Sequence, residues 1–188
     1  FNKTLSINIL QLGMEQTTTQ IIFPFLQHVG ILWLGGSIHI AHEHFITNLI
    51  KQRMFVAIDQ VNVVPNSDAK KYLLFLPNGE NHELSLLFAS YLLRANGQHV
   101  IYLGTSTPLD DLNKIHKIHN PDFVFCALTN SNAAIPVQVY LNTLSRSWPN
   151  TQIIVTGSQV VKRRDLKIPE NCKVMSDPSG FLDFIVNN

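Results

Sequence analysis

The sequence is poor in cysteine, in net charge and in long apolar runs, and each shortage excludes something. Two cysteines, Cys126 and Cys172, in 188 residues cannot build a disulfide framework and suit a reducing compartment, so a cytoplasmic location is expected. Fourteen Lys and Arg against thirteen Asp and Glu leave a formal charge of +1, and the one basic cluster is Lys162-Arg163-Arg164. The broad cationic face that grips a nucleic-acid backbone is therefore missing. No apolar run reaches the roughly 18 residues that a membrane span requires. Charged residues are only 14% of the chain while apolar ones are 45%, a composition that buries a core and excludes disorder. The chain opens at Phe1, with neither an initiator Met nor a signal segment, and reads as part of something longer.

What is present divides in two. From Lys3 to about Asp59 apolar residues recur at helical spacing, with Thr17-Thr18-Thr19 as a capping region and Pro24 and Gly30 as punctuation. This predicts a helical bundle over residues 1–60. Residues 61–70, with Pro65, Asn66, Ser67 and Asp68, have linker chemistry. Residues 71–188 alternate short β-rich runs with helical stretches: Tyr72–Leu76 and Leu84–Ala95, Val100–Leu103 and Leu109–Ile118, Phe123–Leu128 and Ala133–Arg146, Ile153–Thr156 and Ser158–Asp165, Lys173–Met175 and Gly180–Val186. Five such units predict an α/β domain of the flavodoxin or Rossmann kind, a five-stranded parallel sheet with helices on both faces. Ligands of such sheets bind beyond the carboxyl ends of the strands.

Two places carry candidate chemistry. Taken as one helix, Leu32–Lys51 has a core stripe of Leu34, Ile38, Ala41, Phe45 and Leu49, and a second face with Trp33, Gly36, Ser37, Ile40, His44 and Thr47, Glu43 at its edge. An indole, a glycine depression, a carboxylate and an imidazole suit a large flat ligand with polar edges. They equally suit an indole packed on a neighbouring helix beside solvated charges, and spacing alone does not separate the two. A zinc site is excluded by geometry, because His42 and His44 point about 160° apart on a helix and no His-Glu-x-x-His pattern is present. The second place is the loop Pro77-Asn78-Gly79-Glu80-Asn81-His82 after the first strand of the α/β domain. There the Glu80 carboxylate can accept one ring N–H of His82 and leave the other nitrogen to a transition metal. A helix cap or a merely exposed imidazole is the plainer alternative.

Together the two places resemble a known family. Trp33, nine intervening residues and Glu43-His44 resemble the Trp-x9-Glu-His signature of cobalamin-binding helical bundles in MerR-family transcriptional regulators. Glu80-x-His82 resembles the Glu/Asp-x-His-x-x-Gly loop of the cobalamin-binding Rossmann domain that follows such bundles, and Tyr102–Leu109 is similar to the matching segment of the CarH- and LitR-like photoreceptor group. The resemblance implies that His82 is the lower axial cobalt ligand and Glu80 its partner. It implies that Trp33, Glu43 and His44 cover the upper face of adenosylcobalamin, and that Cys126, Leu128, Gly157 and Ser158 stand where the family holds the nucleotide tail. It further implies a sensory and oligomerisation region with no enzymatic role, forming a homo-oligomer and meeting DNA only through a domain outside this chain.

Three positions depart from the family pattern. Ser85 replaces the glycine that gives the tail room, Cys126 replaces a serine, and Leu34 stands where the photoreceptors carry the histidine that ligates cobalt after photolysis. Two other functions fit the same residues: a corrinoid methyl carrier of a methyltransferase system, and a cofactor-free interaction domain descended from the same fold. A phosphoacceptor receiver is excluded, because Leu76-Pro77-Asn78 closes the first strand without the needed aspartate.

Overall fold

A computed structural model of the chain describes residues 1–62, 67–131 and 135–188. It divides into two compact units, Phe1–Val61 and Asn62–Asn188. Residues 63–66 of the expected linker, and the start of the helix expected from Ala133, lie outside the described residues.

The first unit is helical, with α1 at Asn2–Thr17, a π-helical turn at Thr18–Ile22, α2 at Phe23–Leu34 and α3 at Ile40–Asp59. Its punctuation differs from the expectation. Thr17–Thr19 cap nothing: the chain runs through them as helix, and the Thr18 and Thr19 hydroxyls donate back to the carbonyls of Met14 (2.7 Å) and Glu15 (3.0 Å). Gly30 lies inside α2, and the break falls instead at Gly13, whose φ of 79° and ψ of 169° only glycine adopts readily.

Leu32–Lys51 is not one helix. Ser37 N–H donates to Leu32 O and Gly36 N–H to Trp33 O, both at 2.9 Å, with Gly36 at φ +72°. That pair of bonds around a left-handed glycine is a Schellman C-cap, and it ends α2 before α3 starts at Ile40. The interruption resets the helical phase, so the expected core stripe fails too. Phe45 is 66% exposed and Ala41 is exposed, while α3 buries Ile50 and Met54. Leu5, Met14, Ile22 and Val29 are the other buried apolar residues of this unit among the described ones.

The second unit is an all-parallel five-stranded sheet in the order β2-β1-β3-β4-β5. Its strands are β1 Lys71–Pro77, β2 His99–Thr107, β3 Phe123–Ala127, β4 Gln152–Thr156 and β5 Cys172–Val174; its helices are α4 Leu84–Ala95, α5 Leu109–His119, α6 Val137–Ser147, α7 Ser158–Val161 and α8 Pro178–Val186. Alternation along β3 sets the layers. Val124 and Cys126 face a core shared with Leu112 of α5 and Tyr140, Leu141 and Leu144 of α6. Phe123 and Phe125 face the other way, meeting Phe184 and Phe181 of α8 at ring-centroid distances of 5.3 and 4.9 Å. Buried on both faces, β1, β3 and β4 read as the continuous apolar runs that a parallel sheet demands. With β2 on one side of β1 and β3 on the other, the chain reverses direction at the β1/β3 boundary, and the crevice there is where ligands of this architecture bind. No described helix is long and apolar enough to cross a membrane.

Candidate functional site at the sheet switch point

The loop after β1 reaches the switch point through a tight turn. Glu80 N–H donates to Pro77 O at 2.9 Å, and Gly79 has φ +80°, the left-handed value that a type II turn requires at its third position. The turn delivers the Glu80 carboxylate into a polar nest. Oε1 accepts from Asn81 N–H (3.0 Å), His82 N–H (3.0 Å) and His82 Nδ1 (2.5 Å), and Oε2 accepts from Thr129 N–H (2.7 Å) and Asn130 N–H (2.6 Å) of the segment after β3. Glu80 is only 4% exposed. Burial opposes its ionisation, but hydrogen bonds from the His82 ring and from the Asn130, His82 and Thr129 amides outweigh burial and hold its pKa at about 2. A carboxylate locked in the charged form fixes the neutral imidazole as the tautomer that donates from Nδ1, with the ring lone pair on Nε2. The His82 side chain is 62% exposed. Such an imidazole is oriented by one nitrogen and chemically suited to bind a transition metal through the other, so the donor set fits cobalt of a corrinoid.

The surrounding contacts hold this loop from several sides. Asn130 Nδ2 donates to Gly79 O at 3.1 Å, and Tyr102 Oη on β2 donates to Glu83 Oε1 at 2.9 Å. Burial first, then the Glu83 carboxylate, keeps the Tyr102 phenol protonated. Ser85, in the first turn of α4, is half-buried. The sequence marks none of Thr129, Asn130 and Tyr102 as a partner, and the first two reach Glu80 through backbone N–H groups that any residue brings.

The residues expected beside the nucleotide tail separate into two kinds. Cys126 is fully buried in the sheet core, where burial pushes its thiol up, and it lies there as an ordinary strand cysteine. Leu128 and Gly157 lock the ends of β3 and β4 together: Leu128 N–H donates to Thr156 O (2.8 Å) and Gln159 N–H to Leu128 O (3.0 Å). At Gly157 the backbone has φ +99°, and a Cβ would stand 2.4 Å from Leu128 O, so this close approach explains the glycine by itself. Ser158 Oγ donates to Thr129 O at 3.2 Å, tying the β4 end to the segment that cradles Glu80.

In the helical unit, Trp33 lies in the last turn of α2 and is 46% exposed, while Glu43 and His44 lie near the start of α3. The candidates thus flank one interhelical turn and do not share a helix face as expected. Glu43 is held on both oxygens, by His44 Nδ1 at 2.7 Å and by the Thr47 hydroxyl at 2.6 Å. His44 keeps an exposed ring.

A helical unit followed in sequence by a parallel sheet of order 2-1-3-4-5 has counterparts among solved structures. The structure is similar to the Methanosarcina barkeri monomethylamine corrinoid protein, with a TM-score of 0.69 over 86% of this chain and 77% of that one at 11% identity. It is also similar to the methanol:cobalamin methyltransferase complex MtaBC from Methanosarcina barkeri, with a TM-score of 0.51 over 99% of this chain and 73% of that one at 12% identity. At such identities the likeness is one of fold.

Sequence relationship points to particular relatives. Residues 2–57 match the family model of the B12 binding domain. The chain is 28% identical over 143 residues to the HTH-type transcriptional repressor CarH of Myxococcus xanthus, covering 76% of this chain and 47% of that protein. It is 26% identical over 146 residues to the repressor CarA of the same organism, covering 78% and 48%. The resemblance to MerR-type regulators drawn from the Trp33 and His82 motifs is borne out by these matches. The chain spans about half the length of these curated relatives.

Proposed function

We propose that this chain is the cobalamin-binding sensory and oligomerisation region of a MerR-type transcriptional regulator, taking adenosylcobalamin with His82 as the lower axial ligand. DNA binding would belong to a region outside this chain. The observation that carries the reading is the Glu80–His82 pair at the switch point, with its carboxylate saturated by N–H donors and its imidazole exposed. When bound, cobalamin supplies a cobalt–carbon bond that light or chemistry can break. The protein's part is to orient His82 through Glu80 and to keep that carboxylate ionised. By the family pattern Trp33, Glu43 and His44 contact the upper face, and Ser85, Leu128, Gly157 and Ser158 border the nucleotide tail. Differential binding of the cofactor to one state of the protein is then enough to shift self-association, with no reaction on a substrate.

Leu34 bears no ligating atom, so illumination is expected to end without the bis-histidine adduct of the photoreceptor group. Absorption spectra with adenosylcobalamin in darkness and after green light, on the unaltered chain and on His82→Ala, test the reading. Histidine ligation in darkness that the substitution abolishes supports it; spectra identical to free cofactor overturn it. The fold likeness to corrinoid proteins favours a second reading, a methyl carrier. Transfer of a methyl group from the bound corrinoid to a thiol acceptor in the presence of a methyltransferase would establish that alternative.

A further inference from the structure

The end of β2 is distorted in a way that the proposed ligand does not by itself explain. Its register against β1 slips twice: Leu74 pairs Tyr102, Phe75 pairs Gly104 and Pro77 pairs Thr107. Extra residues in β2 produce bulges, which re-aim side chains near sites. Gly104 takes the first left-handed position with φ +77°, but the second falls on Ser106 with φ +54°, where a Cβ is disfavoured.

The bulge turns the Ser106 hydroxyl toward the histidine loop. Ser106 Oγ accepts from Gly79 N–H at 3.1 Å and donates to Asn78 Oδ1 at 3.1 Å, which uses its single proton and one lone pair. The Gly79 N–H belongs to the central peptide of the Pro77–Glu80 turn. A flip of that peptide converts a type II turn into type I and moves Gly79 out of its left-handed conformation. Ser106 therefore grips the one group whose rotation would re-aim the segment carrying Glu80 and His82. Asn130 holds the following carbonyl, Gly79 O, from the β3 side.

We infer that Ser106 is a positioning residue for His82: its hydroxyl locks the orientation of the Asn78–Gly79 peptide and so the direction in which the imidazole is presented to a metal. The inference rests on the reading of His82 as a cobalt ligand. Ser106→Gly is the informative variant, because glycine keeps the left-handed backbone without strain while the side chain that carries the hydroxyl is gone. Ser106→Asn tolerates the same backbone and restores a polar group.

Two readouts on the full chain separate the possibilities. In the cofactor-free protein, amide exchange at Gly79 is expected to quicken severalfold in Ser106→Gly and to return toward the original rate in Ser106→Asn. With cob(II)alamin, the histidine-nitrogen splitting in the electron paramagnetic resonance spectrum is expected to weaken in Ser106→Gly, with cofactor affinity lower by about fivefold. That is less than the tenfold or more lost with a direct partner of a metal-bound histidine. Unchanged Gly79 exchange, or faster exchange with undiminished splitting and affinity, overturns the inference. Absence of histidine splitting in the unaltered chain overturns the His82 reading and the inference with it, and is told apart by appearing before any substitution at Ser106.

Discussion

The two units use apolar residues in opposite ways. Among the described residues the α/β unit places 32 of the 38 buried apolar residues, and its helices cover both faces of the sheet. The helical unit buries six, yet carries ten of the sixteen exposed large apolar side chains among the described residues, including Ile31, Trp33, Ile40, Phe45 and Phe55. A unit of about 60 residues has little interior to offer, so it holds itself with a few well-buried side chains and leaves the remainder on its surface. The sheet supplies a rigid edge on which a histidine can be aimed, and the helical unit supplies an apolar surface with one paired carboxylate.

The comparison is tested hardest at Gly157. A methyl group there meets the Leu128 backbone, so Gly157→Ala is expected to cost about 4 kcal/mol of α/β-unit stability, read from urea unfolding followed by near-ultraviolet signals of that unit. Loss of under 1 kcal/mol would show that the β3 and β4 ends are not locked. Ile50 is 1% exposed, and Ile50→Ala should cost about 3 kcal/mol, lowering the helical transition in far-ultraviolet circular dichroism.

Glu80→Gln should cost about 2 kcal/mol, since it removes the charge that five N–H groups converge on. The sign of its pH dependence follows from a folded-state pKa lowered from 4.5 to about 2. The stabilisation is complete above the unfolded value and fades as pH falls from 4.5 through 2. Urea midpoints measured across that window should drop more steeply in the unaltered chain than in Glu80→Gln. The smallest effect belongs to Phe45→Ser, expected within about 0.5 kcal/mol because the ring is mostly in solvent; a larger loss in the same urea titration would return Phe45 to a core.

The unequal burial also explains what the sequence revealed. In the α/β unit β1, β3 and β4 are buried runs and a helix follows each strand, so Leu84–Ala95 is found at the bounds read from the sequence. β2 runs four residues past its expected end, because Gly104 and Ser106 carry a strand through bulges that look like a loop. In the helical unit, apolar residues stand on buried and exposed faces alike, so periodicity chose the wrong stripe through Phe45. The Gly35-Gly36 pair held the needed signal, a C-cap, and was read instead as a depression in a continuous helix. The Glu80–His82 pair was legible because both partners are side chains two residues apart; Thr129 and Asn130 were not, because they reach that carboxylate through backbone amides that every sequence possesses.

Both thiols of the chain lie within the α/β unit, Cys126 entirely enclosed and Cys172 nearly so. A reagent in solution must wait for that unit to open before it can react with Cys126. The protein thus contains its own stopwatch for the opening of one half, and the helical half, having no cysteine, contributes nothing to the count.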